Sequence, residues 1–366
     1  TIDALALGTQ TLTVVAADNA IFDGDIGAGL ALGELEVTAN TGTIQLNSAI
    51  VDTNSAGASG DQLFNSAVVL GNLVGSTLTS NGGGDIEFFS TVDASSAGTQ
   101  TLTVNAADFA NFEGNVGATS ALGELTVVAV NGINLGFLTP ITIDTLALGG
   151  TTGDQTYFDD VTLFQNATLR STTGGNINFV GKVDGSSTGA QTLTVDAAGN
   201  AIFDDSIGNG TALGALEVTE NTGIIQLNGA VVKTAGTSGT QTYNSNTVLG
   251  TTVSMTATGV TGDAITFNAL LDGASEYLES LNITAGPNGN IVFNGAVGSS
   301  TKLYEIVIGT TAGGANDVTF DSTVSAFTFT QLAGSGTTTF EGLFDFTNFK
   351  FEANELTING GGTNSV

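Results

Sequence analysis

One phrase returns along the chain at a near-constant interval. Phe22–Gly27 reads FDGDIG, Phe112–Gly117 reads FEGNVG, Phe203–Gly208 reads FDDSIG and Phe293–Gly298 reads FNGAVG, in steps of 90, 91 and 90 residues. Other phrases keep the same beat. QTLTV stands at Gln10–Val14, Gln100–Val104 and Gln191–Val195, with SLNIT at Ser280–Thr284 in the fourth place. LGELEV at Leu32–Val37 is followed by LGELTV at Leu122–Val127, LGALEV at Leu213–Val218 and LYEIVI at Leu303–Ile308. Self-similarity at a fixed period is the mark of a repeat architecture, in which each unit buries its apolar face against its neighbours. Four approximate units follow, 1–93, 94–184, 185–272 and 273–366, read as one continuous repetitive chain.

A shorter echo lies inside the units. TIDALALG at Thr1–Gly8 returns as TIDTLALG at Thr142–Gly149, leading once to QTLTV and once to QTYF. The QTL and QTY glutamines are therefore expected at equivalent corners of a smaller module. Within the phrases apolar residues alternate with polar ones: Ile44 and Leu46 bracket Gln45, and Ile86/Phe88, Ile177/Phe179 and Ile265/Phe267 follow suit. Period two with Val, Ile, Thr and Phe indicates strands with one buried face. Gly, Asn, Asp and Ser interrupt them every few residues. The only prolines, Pro140 and Pro287, fall between runs, as a ladder that needs every backbone donor requires.

The expected fold is all-β, a parallel β-helix (β-solenoid). At roughly 20–24 residues per coil, each unit holds about four coils. At about 4.8 Å per coil the whole is a rod on the order of 70–80 Å. The competing arrangement is four tandem β-sandwiches, since ninety residues suit such a domain.

Composition closes off other classes. The 366 residues include no Cys, no His and no Trp, with 35 acidic residues against 5 basic ones and a net charge of -30. Disulfide staples and histidine chemistry are absent. Nucleic acid needs a basic footprint, and anionic membranes repel such a chain, so neither nucleic-acid binding nor direct membrane insertion is expected. The basic residues Arg170, Lys182, Lys233, Lys302 and Lys350 are scattered singly, and no acid–acid–base cluster stands out. An enzyme is not expected.

The recurrent rings Phe22, Phe112, Phe203 and Phe293, with the second series Phe88, Phe179, Phe267 and Phe340, are expected as stacked core aromatics. Asn47, Asn228 and Asn294 lie at strand ends, suited to capping turns or to a short amide ladder. Asp23, Asp25, Asp204 and Asp205 cluster beside the Phe corner. A calcium site is the functional reading of these acids, because hard cations take oxygen ligands. A solvated surface that resists sideways aggregation is the plainer one. No cofactor is required by any motif. The four tyrosines, Tyr157, Tyr243, Tyr277 and Tyr304, define no binding patch.

QTLTV, FDGDIG, LGELEV, IQLNSAI, QTYF and GGDIEF together resemble the repeat regions of filamentous-haemagglutinin-like proteins, among them secreted bacterial beta strand repeat proteins. The resemblance covers essentially the whole chain. It implies a right-handed parallel β-helix, secretion to the bacterial cell surface, and a structural role in a fibre, sheath or matrix. The alternative it implies is an adhesin passenger with a cell-surface or polysaccharide target. Because Thr1–Gly8 already reads as the middle of a repeat, end-to-end self-association or continuation in a larger chain is expected.

Overall fold

The computed structural model describes residues 1–72, 75–309 and 314–360. Residues 361–366 of the fourth expected unit lie outside this set. All named elements are strands, every named pair is parallel, and successive turns stack as a β-solenoid. Two compact units divide the chain: residues 1–181 with 197–199, and residues 182–196 with 200–366.

Three parallel faces enclose the core of the first unit. The first face stacks Thr11–Ala16, Glu34–Ala39, Gln62–Phe64, Ile86–Phe88, Phe109–Phe112, Gly132–Leu135 and Val161–Leu163. The second stacks Ala20–Phe22, Ile44–Leu46, Val68–Leu70 and Val92–Ala94, then passes through the single bridging residue Val116 to Ile141–Leu146 and Ala167–Thr172. The third stacks Ile50–Asn54, Ser76–Asn81, Thr101–Ala106, Glu124–Ala129, Gln155–Tyr157 and Ile177–Phe179. The second unit has the same construction, with strands such as Ala215–Glu220, Gln241–Tyr243 and Gly262–Phe267 on one face. Val253–Thr258, Ser280–Thr284 and Leu303–Ile308 form another of its faces.

Turn length is uneven. Residues joined from one turn to the next are 24 apart at Asp23/Asn47, 30 apart at Ala129/Asp159 and 18 apart at Thr337/Glu355. A ninety-residue step therefore does not equal four turns. From Leu12 on the first face to Leu102 on the third it spans three turns and two further faces. The copies at Thr192–Ala197 and Ser280–Thr284 likewise lie in different sheets. The turn is the structural repeat, and the longer sequence repeat moves each phrase to another face.

The recurrent phrase has a physical explanation. Ile26, Val116, Ile207 and Val297 are buried, and each bridges the turns on both sides. The glycine that follows, Gly27, Gly117, Gly208 or Gly298, holds φ between 65° and 70°. A Cβ at Gly117 would lie 2.1 Å from the carbonyl oxygen of Asp144 in the next turn, and the other three are as tight. Only glycine meets both demands. Gly117→Ala is expected to cost about 2 kcal/mol or more, combining the left-handed backbone penalty with the clash. Chemical denaturation reads this loss, and an unchanged midpoint would refute the corner assignment.

Rings stack with the next turn. Phe88 lies between Phe64 and Phe112, with centroids 5.1 Å apart on both sides. Phe267, Phe293, Phe320 and Phe340 form a column below Tyr243. Tyr157 stacks on Phe179. The two sequence series are thus interleaved in space. Phe22 continues as Leu46 and Leu70, and Phe203 as Leu227 and Leu249.

The QTY and QTL glutamines are not equivalent. Gln155 is in register with the inward-facing Leu125 and through it Leu102, two residues beyond Gln100. Gln155 is buried and its Nε2 donates to the carbonyls of Ile143 and Arg170, while Tyr157 donates its hydroxyl to Oε1 at 3.0 Å. Gln241 and Tyr243 repeat the arrangement. Gln62 repeats the donor half, with Nε2 on the carbonyls of Val51 and Thr79. Its partner position holds Phe64, and the Gln62 Oε1 is buried with no hydrogen-bond partner. By contrast Gln100 lies before its strand, where Oε1 accepts from the Ser96 amide.

An unmade buried hydrogen bond costs about 1 kcal/mol or more. Phe64→Tyr is expected to raise stability by about 1 kcal/mol, because the hydroxyl reaches Oε1. Tyr157→Phe and Tyr243→Phe are expected to lower it by a similar amount. Denaturant midpoints of the three variants check the pattern; a destabilised Phe64→Tyr would count against it.

Candidate functional site

The outward acids are tied into the turn-to-turn network. Asn47 donates Nδ2 to Asp23 Oδ1 at 2.7 Å, and Asn228 donates to Asp204 Oδ1 at 2.7 Å. Asp25 accepts from the amides of Ala49 and Ile50. Asp205 accepts from the Ser206 amide beside it. Asp23 and Asp25 thus serve the following turn, as does Asp204. Among the described residues no group of three or more Asp, Glu, His or Cys side chains is placed to hold a metal ion.

Asparagines continue the theme in columns. Asn294 donates to Asn268, Asn268 to Asn244, and Asn244 to Glu217, with links of 2.7, 2.7 and 3.1 Å. Asn134 donates to Asn111 and Asn111 to Glu87. Asn316 donates to Asn290 and Asn290 to Asp263. Each of these columns donates towards the earlier turn and ends on a carboxylate. The carboxylate only accepts, so it sets the orientation of the amide above it, and that amide sets the next.

Packing raises several acids on this surface. Burial pushes Asp85 above the ordinary carboxylate range, helped by the charges of Asp108 and Asp61. Burial likewise raises Glu87, with repulsion from Asp85, Asp61 and Glu113 adding to it. Asp52, Glu113 and Glu220 are raised, again chiefly by burial. A raised acid holds its proton more tightly folded than unfolded, so its cost is present at neutral pH and is relieved as pH falls through the folded value. It is fully relieved below the unfolded value, near 4. Melting temperature is expected to rise as pH is lowered from neutral towards about 4, measured at constant ionic strength. A fall over that interval would contradict these shifts.

Arg170, Lys233, Lys302 and Lys350 are held by acids or amides. Arg170 forms a two-pronged pair with Asp144 at 2.9 and 2.7 Å. Lys233 donates to Asn209, and Lys350 pairs with Glu352. Two surface hollows are present. One, of about 380 Å³, is lined by residues including Ser254, Asn282, Thr284 and Leu332. The other, of about 280 Å³, is lined by Asn131, Phe158, Asp159 and Asp160 among others. Asp159 already accepts from the Ala129 amide. Neither hollow joins a nucleophile to a base.

The tyrosines divide into two kinds. Tyr157 and Tyr243 are core residues, and burial pushes both phenols upward. Tyr277 and Tyr304 are exposed and meet the exposed ring of Phe327. Sequence reasoning missed this patch. The signal was a register difference: Gly8, Gly98 and Gly189 each stand two residues before a glutamine, and Tyr277 takes that place before Glu279.

No family model, curated protein or solved structure matches this chain. The structure itself shows an all-β parallel solenoid, consistent with the general class of repetitive secreted-fibre proteins. Among the described residues no helix is long and apolar enough to cross a membrane.

Proposed function

We propose that this chain is a structural segment of an extracellular fibre, sheath or matrix at a bacterial cell surface, of the filamentous-haemagglutinin-like kind and with right-handed coils. The observation that carries the reading is an open sheet edge in each unit. Thr11–Ala16 and Phe344–Phe351 each stand at the edge of their sheets. Among the described residues no strand pairs with their outer sides, which match a next parallel rung, so a further coil or a second copy extends the sheet without new chemistry. The surface supports the same role: its asparagine columns and carboxylates reinforce turn-to-turn stacking.

Calcium on this reading is a counter-ion spread over a surface of -30, and none is required for folding. Calcium and magnesium at equal concentration are expected to raise the melting temperature alike. A rise confined to calcium would instead establish a selective site.

Electron microscopy of the purified chain tests the main proposal. Filaments longer than one chain are expected, and longer at 0.5 M than at about 0.01 M salt, because screening weakens repulsion between acidic copies. Capped single particles at both salt concentrations would sink end-to-end growth.

A further inference from the structure

The Tyr277 loop departs from its counterparts in one respect that costs stability. Gly8, Gly98 and Gly189 hold φ of 65°, 75° and 74°. Tyr277 holds φ of 59° in the corresponding place, where a side chain is disfavoured. Strained residues persist where the surroundings impose them, and they gather at ligand-binding sites. Here the strain presents an aromatic ring to solvent, next to Leu278, which is 68% exposed.

The ring does not stand alone. Tyr304 stacks on Phe327 at 5.7 Å and 14°, and Tyr277 meets Phe327 edge-on at 6.3 Å and 78°. The three rings thus present two orientations, an angled platform. Lys302 Nζ lies 5.9 Å from the centre of the Tyr277 ring and 2.6 Å from Asp345 Oδ2. A donor and an acceptor of cancelling charge therefore border the rings.

We propose that this patch is a binding site for a neutral pyranose glycan. A sugar ring lays its C–H face on an aromatic ring and offers hydroxyls to the ammonium and carboxylate beside it. The other occupants fit less well. An anionic polymer would approach a chain of -30, with Glu276 and Glu305 next in sequence to Tyr277 and Tyr304. A peptide adding as a strand needs an open edge, but Leu303–Ile308 is paired on both sides, with Ser280–Thr284 and Val324–Gln331. A second copy brings its own negative charge, and a patch of three rings, one leucine, one lysine and one aspartate falls well short of the roughly 800 Å² that each partner of a stable complex buries. The site goes beyond the fibre reading and does not depend on it, since one chain carries every residue involved.

The test presents cellohexaose, chitohexaose, laminarihexaose and mannohexaose to the full chain, with polygalacturonate as the anionic comparison, and reads affinity by calorimetry. Binding to at least one neutral oligosaccharide is expected, weakened about tenfold or more in Tyr277→Gly and in Tyr304→Ser. Tyr277→Gly restores the glycine of the sister loops, so it should melt no lower than the parent while losing the ligand. Tyr304→Ser keeps the test open if that loop behaves otherwise. Absence of binding to all four neutral glycans, preference for polygalacturonate, or undiminished binding in both variants would overturn the proposal. So would a dimer of the parent that both substitutions abolish, since the patch would then be a protein interface. Because calorimetry reads glycan binding with or without filaments, failure of this site and failure of fibre growth are separable.

Discussion

Everything in this fold follows from hydrogen-bonded parallel rungs, each lying about 4.8 Å from the next. That spacing leaves no room for a side chain where one turn's corner passes over another. It explains the corner glycines Gly27, Gly117, Gly208 and Gly298, where a carbonyl oxygen of the following turn lies 2.0 to 2.2 Å from a Cβ position. It also sets the contact distance inside. Flat rings at about 5 Å stack face to face, so the columns from Phe64 to Phe112 and from Tyr243 to Phe340 fill the core without interrupting the ladder.

The same spacing acts on polar side chains. An amide in register with another amide is within hydrogen-bonding reach, and a column of them needs a consistent direction. Glu217, Glu87 and Asp263 provide it by standing at the N-terminal end of their columns, where each can only accept. The acids are therefore part of the stacking, even while the charge and burial of Glu87 oppose the fold at neutral pH. Asp23 and Asp204 show the two-member form, and they direct an oxygen at an asparagine of the next turn. Asp25 likewise accepts from two backbone amides of the next turn.

Fold class was legible because strand periodicity and small corner residues are local signals. Ile44–Leu46 and Ile86–Phe88 read as strands from three residues each. Their stacking partners were not legible. Phe88 and Phe179 belong to one sequence series, yet Phe88 stacks on Phe64 and Phe112, because contact depends on turn length and not on phrase identity. Turn lengths vary from 18 to 30 residues through loops with no periodic signature. The glutamines failed for a related reason. QTL and QTY look alike in a string, but a shift of two residues decides whether the amide closes a loop, as at Gln100, or crosses the core, as at Gln155. The surface aromatic patch was hidden in the same way, since Tyr277, Tyr304 and Phe327 come from three different turns.

A sequence repeat out of step with the turn has a further consequence. Each copy of a phrase must work on a different face, among different neighbours. Leu12 and Leu102 show this within the first unit. Only features that every face can accept survive such copying: an inward Leu or Phe, a bridging Val or Ile, and a glycine at the corner. That accounts for the plainness of the shared phrases and makes departures from them informative. Phe64 in place of a tyrosine leaves the Gln62 oxygen unpaired, a local imperfection inside the core. Tyr277 in place of a glycine adds strain and exposes a ring that meets two others. The first departure adds nothing at the surface. The second creates a surface that the repeated phrases do not otherwise supply, which is why recognition is assigned there and mechanical continuity to the rest.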